Sequence, residues 1–268
     1  MDTFQKSIAY FDLLPDELVL KIVSLAVEKT GRDEQHDFLL DVIAPVSLRF
    51  RRIAKEKTFW EGEVTISLDR KTKTAAQWSS RMDTIGADKC FSKPSTKDMM
   101  EAKMRDAIRN FIHAGVNSLI IAACAEPATT YRGLGLTRYM PLISSDDIIS
   151  IASKCPALGV LRLSWLRMEP WPTYLIPSIE ELHLSDMRIH MNMLSKDDVS
   201  LHRSLPNLRV FKMLACSEAY PRDDSRIKLP DMTKCKKLEI IDLWGSSVEQ
   251  PMLKIKGNLP SLRPAATH

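Results

Sequence analysis

The sequence predicts an α/β solenoid, in which a short N-terminal helical bundle precedes a curved parallel sheet with helices and loops on its outer side. Two observations predict this fold. The first sixty residues carry apolar side chains at helical spacing, whereas the rest of the chain repeats a strand-like apolar pattern. Because one such unit cannot bury its apolar face alone, a repeated unit of helix and strand is typical of stacked repeats.

The N-terminal region contains three predicted helices. In residues 12–27, Asp12 supplies a cap and Pro15 suits the first turn of the first helix. We expect one side of this helix to carry its apolar residues, which are Leu14, Leu18, Val19, Ile22, Leu25 and Ala26. A second helix starts at Phe38 and ends before Pro45, and a third covers residues 46–58. Three short helices have a small core, so we expect the bundle to pack on a partner or a following domain.

Two stretches of this region match one family in the same order. The first is L-P-D-E-L at residues 14–18, and the second is V-S-L-R-F-R-R-I-A at residues 46–54, followed by Phe59–Trp60. Residues 12–60 thus resemble an F-box, which implies binding to the Skp adaptor and, through it, to a cullin scaffold. The implied adaptor-binding residues are Leu14, Pro15, Leu18, Ile22, Val46 and Phe50. The alternative is a small helical domain in which the same apolar side chains form its own core.

Five windows of the remaining chain fit the template L-x-x-L-x-L-x-x-(N/C). They begin at Val116, Leu158, Ile179, Leu208 and Leu238. Each window predicts a strand whose last apolar pair points inward, since alternate side chains of a strand face opposite sides. Apolar spacing predicts a helix over residues 100–112, and S-S-D-D and S-K-D-D predict capped helices before two of the windows. In this pattern Cys124 and Cys216 are core residues that follow a strand.

Phrases such as C-P-A-L before a window are similar to the leucine-rich repeats of the F-box/leucine-rich-repeat proteins. The resemblance implies a horseshoe with the parallel sheet inside. We predict an F-box domain at 1–62, a connecting segment at 63–98 and repeats at 99–268. Residues 63–68 alternate like a strand that opens the sheet, and residues 74–81 form a helix or a loop. A new repeat line starts at residue 259, so we expect the last repeat to lack its own cap.

Side chains that alternate with the buried pairs form columns on the inner face of the predicted sheet. The middle column is Ile120, Arg162, His183, Lys212 and Asp242. We predict that substrate-binding residues come from this face, and they are Arg162, His183, Lys212, Leu214, Asp242 and Trp244. The basic residues among them suit an acidic or phosphorylated segment. For Trp165 and Trp171, contact with a partner and packing under irregular loops both remain open.

Composition excludes several classes of function. The net charge is +4 from 38 basic and 34 acidic residues without a basic cluster, which disfavours nucleic-acid binding. The five cysteines form no C-x-x-C, so neither a zinc site nor a disulfide framework is expected, and a cytoplasmic or nuclear location is favoured. No apolar run reaches the ~18–20 residues of a membrane span. Phosphate-binding and nucleophile motifs are missing too, so we expect no cofactor, no metal and no catalytic residue.

These observations predict an adaptor rather than an enzyme. The expected function is substrate recognition within a Skp–cullin–F-box ubiquitin ligase, with the F-box on the Skp adaptor and the repeats on the substrate protein. The main alternative is a scaffold with the same two parts that acts outside ubiquitination. An enzyme of unrecognised type would need a convergent polar pocket in the folded chain.

Overall fold

The computed structural model describes residues 13–31, 34–68, 96–123, 140–169, 171–189, 201–218, 227–228, 235–246 and 248–249. The predictions for Asp12, Cys124, the helix or loop at 74–81, and the repeat line at residue 259 lie outside these ranges. The S-K-D-D segment at 195–198 also lies outside them.

The described chain is an α/β protein with a six-stranded parallel sheet. Its strands, in spatial order, are β1 (Gly62–Leu68), β2 (Val116–Ala123), β4 (Val160–Ser164), β6 (Glu181–Ser185), β8 (Val210–Leu214) and β11 (Ile240–Asp242). Spatial order equals chain order, so each unit stacks on the unit before it. All five template windows contain a strand of this sheet, and residues 63–68 form its first strand, as predicted. The sheet is open in the described residues, because β1 and β11 lie at opposite edges.

Short strands form a second layer of pairing. Four of them form one parallel sheet in the order β3 (Leu142–Ile143), β5 (Arg167–Met168), β7 (Arg188–Ile189) and β9 (Ser217–Glu218). The other two, β10 (Ile227–Lys228) and β12 (Val248–Glu249), pair with each other in parallel. Strands β5, β7 and β9 each follow a long strand after two residues. The pattern L-x-x-L-x-L does not predict these short strands, because two residues carry too little periodicity to be recognised.

The helices follow the predictions with shifted bounds: the second helix and the helix before β2 begin earlier than predicted, and the third is shorter. They are α1 (Asp16–Glu28), α2 (Gln35–Phe38) continued by a π-helical turn (Leu39–Ile43), α3 (Leu48–Ala54), a 3₁₀ turn (Lys57–Phe59), α4 (Thr96–Asn110), α5 (Ser145–Lys154) and α6 (Leu201–Ser204). Pro15 is the N-cap of α1 rather than a residue of its first turn. The predicted cap before α5 is confirmed as a capping box, in which Ser144 and Asp147 bind each other's backbone N–H groups.

Helix α1 is apolar on two sides. Its buried stripe is Val19, Val23 and Val27, whereas Leu18 and Ile22 are exposed. The expectation that Val19 shares the side of Leu18 is therefore wrong. Both stripes have helical spacing, and only the rest of the fold decides which one turns inward. The buried side belongs to one continuous apolar cluster that also includes the inward side chains of the sheet.

Strands β4, β6, β8 and β11 are each followed by the same corner, where one residue adopts a left-handed backbone. The φ angles are 56° for Trp165, 52° for Asp186, 51° for Ala215 and 67° for Gly245. The corners are joined across units, because the N–H groups of Trp165, Asp186 and Ala215 donate to carbonyls of the next unit at 3.1, 2.8 and 2.9 Å. A left-handed conformation costs a non-glycine residue roughly 1–2 kcal/mol. The inter-unit hydrogen bonds offset this cost.

The residue after each corner is the N/C slot of the template, and it faces the core. The Cys216 thiol donates to the Leu184 carbonyl at 3.4 Å, and the Ser246 hydroxyl donates to the equivalent Met213 carbonyl at 2.8 Å. Ser246 Oγ also accepts from the Cys216 N–H at 3.0 Å. Burial raises the pKa of the Cys216 thiol to about 11, so the thiol is protonated. The predicted core position of Cys216 is confirmed.

Strand β1 is an edge strand whose outward backbone groups are bound by side chains. The Thr65 N–H donates to His36 Nδ1 at 3.3 Å, and the Ser67 N–H donates to the Asp37 carboxylate at 3.1 and 3.2 Å. Lys103 Nζ, from α4, donates to the Ser67 carbonyl at 2.7 Å. The same ammonium pairs with Asp37 at 2.8 Å and with Asp41 at 2.6 Å. The helical region therefore covers the edge at which the sheet begins.

His36 is held as a neutral imidazole by this arrangement. Nδ1 accepts a hydrogen bond from Thr65, so the ring proton lies on Nε2, which donates to the Phe59 carbonyl at 3.1 Å. The ring also packs against Trp60, with centroids 4.9 Å apart. Burial is the main cause that lowers the pKa of His36 below its ordinary 6.5. Protonation of Nδ1 would break the bond to strand β1.

The pKa of His36 predicts how stability depends on pH. Because the folded pKa is lowered, the unfolded chain binds more protons below about pH 6.5, and the free energy of unfolding falls as the pH drops below that value. His36 should contribute its full stabilisation above that pH. Urea unfolding at about pH 7.5 and about pH 5.5 should show a smaller pH effect in His36→Gln than in the wild type. Equal pH effects in the two proteins would contradict the role given to His36.

The slot hydrogen bonds predict a second stability effect. Ser246→Ala removes the partner of both the Met213 carbonyl and the Cys216 N–H, so urea unfolding should show a loss of roughly 1–3 kcal/mol. Ser153→Ala is the matched control, because its hydroxyl makes a local bond to Ser150 on the exposed side of α5. That control should change the free energy of unfolding by less than about 0.5 kcal/mol.

Candidate protein-binding surfaces

The helical region presents an apolar surface, which we call the helical apolar surface. Its large apolar side chains are between 43% and 88% exposed, and they are Leu13, Leu18, Ile22, Leu25, Val42, Val46 and Leu48. Leu18, Ile22 and Leu25 lie on α1, Val42 lies on the π-helical turn, and Leu48 begins α3. Leu13 precedes α1, and Val46 lies between the π-helical turn and α3. Exposed apolar residues are ordinary one at a time, but seven within 36 positions of one small bundle form a feature that monomers rarely keep without a partner.

Four of the six predicted adaptor-binding residues are exposed here. Pro15, Leu18, Ile22 and Val46 are open to solvent. The other two, Leu14 and Phe50, are half-buried and pack against the apolar cluster.

Charged side chains fix the two helices that carry this surface. Arg49 on α3 pairs with Asp16 at the start of α1 at 2.7 Å, and Arg52 binds the other oxygen of the same carboxylate. Arg49 also donates to the Leu14 carbonyl. The hydrogen bond from Arg49 is the largest cause that lowers the pKa of Asp16. The beginning of α1 is therefore tied to α3, which sets the spacing between Leu18 and Val46.

The predicted adaptor-binding residues omit four residues of the helical apolar surface, which are Leu13, Leu25, Val42 and Leu48. Leu25 could have been included from the sequence, because it follows Leu18 and Ile22 at helical spacing on the same side of α1. Val42 projects from a π-helical turn, whose five-residue step no apolar periodicity predicts. Leu13 directly precedes the motif stretch at residues 14–18, and Leu48 lies inside the stretch at residues 46–54, at a position not assigned to adaptor binding.

The second surface, which we call the sheet face, lies on the six-stranded sheet. Its middle column is Thr65, Ile120, Arg162, His183, Lys212 and Asp242, which align from strand to strand in that order. The alignment predicted for the last five is confirmed. These side chains are half-buried, while their neighbours along each long strand are mostly buried.

The middle of the sheet face has more hydrogen-bond donors than acceptors to receive them. Arg162 lies 3.8 Å from Glu63, and His183 lies 3.2 Å from Glu181. Arg162 Nε is buried, and no described residue accepts a hydrogen bond from it. Burial is the largest cause that lowers the pKa of His183, and the neighbouring Lys212 and Arg162 lower it further. His183 is therefore neutral near pH 7, and its Nε2 proton points to Glu181.

One end of the sheet face is apolar. Trp244 is 61% exposed and Ile240 is 37% exposed, and Leu214 lies half-buried on the neighbouring strand. The Asp242 carboxylate accepts from the Trp244 N–H at 3.3 Å. The predicted substrate-binding residues thus come together on one face, with basic groups in its middle and apolar groups at one end.

The two other tryptophans differ from Trp244. Trp171 is buried, and Trp165 is half-buried and packs against the apolar cluster. Of the two alternatives, packing therefore accounts for Trp171 and for the buried part of the Trp165 side chain. Tyr174, in the same stretch, is 51% exposed.

Other kinds of site receive no support from the described residues. They contain no group of three His, Cys, Asp or Glu side chains that could hold a metal ion. None of the helices in the described ranges is long and apolar enough to cross a membrane. No protein-family model matches the sequence, and a comparison with curated proteins also finds no match. The two surfaces are therefore the basis for assigning a function.

Proposed function

We propose that this chain is an F-box protein with leucine-rich repeats and acts as the substrate-recognition subunit of a Skp–cullin–F-box ubiquitin ligase. The observation that carries the proposal is the position of the motif residues Leu18, Ile22 and Val46. They are apolar and exposed on the helical apolar surface. The opposite stripe of α1 is already buried, so these side chains are not needed for the core.

A partner with a complementary apolar surface explains this exposure. Buried apolar anchors near the centre of an interface contribute most of its binding energy. Within the proposal that partner is the Skp adaptor, which connects the chain to a cullin. The clamp of Arg49 and Arg52 on Asp16 holds the two helices in a fixed relation, so little conformational entropy is lost on docking.

The sheet is proposed to be the inner face of a leucine-rich-repeat horseshoe. Support comes from the stacking of units in chain order, from the shared left-handed corner and from the equivalent hydrogen bonds of Cys216 and Ser246. In this proposal the sheet face holds the substrate protein. The chain then raises the local concentration of substrate near a charged ubiquitin, and other subunits perform the covalent chemistry.

The helical apolar surface is tested by substitution of its exposed residues. Leu18→Ala, Ile22→Ala and Val46→Ala should each weaken capture of purified Skp adaptor by about tenfold or more, because each anchor contributes ~2 kcal/mol. Surface plasmon resonance measures the affinity directly. Thermal unfolding should change little, since these side chains are exposed in the free chain.

Two control variants separate binding from folding. Lys21→Ala, at another exposed position of α1, should bind the adaptor like the wild type. Val23→Ala, on the buried stripe, should lower the free energy of unfolding by roughly 1–3 kcal/mol. Undiminished adaptor capture by Leu18→Ala with Ile22→Ala would refute the assignment of this surface.

Ubiquitination itself is tested in a reconstituted reaction. The full chain, the Skp adaptor, a cullin with its RING subunit, and ubiquitin-charged E2 should modify a protein that the chain captures, and Leu18→Ala with Ile22→Ala should abolish this modification. Modification is followed by gel mobility of the captured protein. Binding of adaptor and cullin without modification of any captured protein would favour a scaffold that acts outside ubiquitination.

A further inference from the structure

We propose that the sheet face binds a protein segment with one anionic side chain, placed over Arg162, His183 and Lys212, and one apolar side chain, placed against Leu214 and Trp244. This inference rests on the proposed function only in assigning a protein partner to the repeats. It adds the chemical class of the segment that is recognised.

Two cationic side chains flank the neutral His183 in the sheet. Arg162 aligns with His183, and His183 aligns with Lys212. Since neighbouring strands lie about 4.8 Å apart, Arg162 and Lys212 are about 10 Å apart at the backbone. Long side chains from both can therefore approach one compact anion that lies above His183.

The hydrogen-bond donors and acceptors of the sheet face favour a ligand group that accepts hydrogen bonds. Glu63 accepts from Ser118 at 3.2 Å, and the carboxylates of Glu181 and Asp242 accept from His183 and from the Trp244 N–H. Among the described residues, in contrast, no carboxylate lies within 4.0 Å of the Lys212 ammonium. The carboxylates of the face already accept hydrogen bonds from their neighbours. In contrast, Arg162 Nε has no acceptor among the described residues, and the Lys212 ammonium has no carboxylate partner among them.

The same carboxylates restrict which anion fits. Glu181 and Asp242 flank the basic row on two sides, so a run of acidic residues would bring like charges together. A single carboxylate or phosphate would not. The face is thus suited to one isolated anionic side chain rather than to an acidic tract.

The position of the apolar end sets the distance between the anionic and the apolar side chain of the bound segment. Trp244 lies two strands from His183 and two residues further along the sheet, a separation of about 12 Å at 4.8 Å between strands and 3.3 Å per residue. In an extended peptide this distance corresponds to roughly three or four residues. In a helical peptide it corresponds to roughly eight residues.

The experiment applies arrays of synthetic peptides to the full chain, both alone and with the Skp adaptor. Each peptide has a central phosphoserine, glutamate or serine and a leucine placed one to eight residues away, and the other positions are degenerate. Retention should be at least about fivefold higher for phosphoserine or glutamate than for serine, with a maximum at the spacings given above. The comparison of phosphoserine with glutamate identifies the anion. Peptides with three consecutive acidic residues should be retained less than those with one.

Substitutions identify which side chains cause the preference for the anion and which cause the preference for the leucine. Arg162→Gln with Lys212→Gln should abolish the preference for the anion, and Lys212→Gln alone should reduce it. Trp244→Ala should abolish the preference for a placed leucine and keep the preference for the anion. Arg203→Gln with Lys236→Gln removes the same charge from exposed positions away from the face and should change neither preference.

Two outcomes would overturn the inference: equal retention of anionic and serine peptides by the wild type, or an anion preference that persists in Arg162→Gln with Lys212→Gln. Adaptor capture is measured on the same samples. Normal adaptor capture without an anion preference would reject this inference and leave the F-box proposal intact. Loss of adaptor binding with a retained anion preference would reject the F-box proposal alone.

Discussion

The structure depends on how the first edge of the parallel sheet is closed. An open edge presents unpaired N–H and C=O groups, which invite association with another strand. Here His36 and Asp37 accept from strand β1, and Lys103 binds both its carbonyl and the carboxylates of the helical region. His36 and Asp37 belong to the bundle and Lys103 to the next helix, so these polar contacts connect the bundle to the sheet. The bundle and the sheet also share one apolar cluster.

This closure also determines which surfaces stay free. The bundle uses the valine stripe of α1 to build the shared cluster, so the leucine and isoleucine stripe remains outside. The side chains of the sheet face point away from the apolar cluster that the bundle and the sheet share. The chain therefore carries an exposed apolar surface on the bundle and a second exposed face on the sheet.

Repetition beyond the first strand is maintained by bonds between successive units. The corner residues Trp165, Asp186 and Ala215 donate across units, and the slot residues Cys216 and Ser246 donate back to the preceding strand. These bonds are made at and just after the strand end, so loops of different length elsewhere do not disturb the register. This explains how windows at irregular sequence intervals still align residue by residue in the sheet.

The sequence by itself determined the five repeated strands, because one template recurs, and alignment of the windows gave the register of the middle column. The period of two within each window assigned each side chain to one face. It also indicated that the first helices carry more apolar surface than a small bundle can bury. The tertiary structure alone decided which stripe of α1 is buried, since both stripes have helical spacing. It likewise decided the pairing of Lys103 with Asp37 and Asp41 and the left-handed backbone at Trp165. Such features depend on partners distant in the chain, and local periodicity contains no information about them.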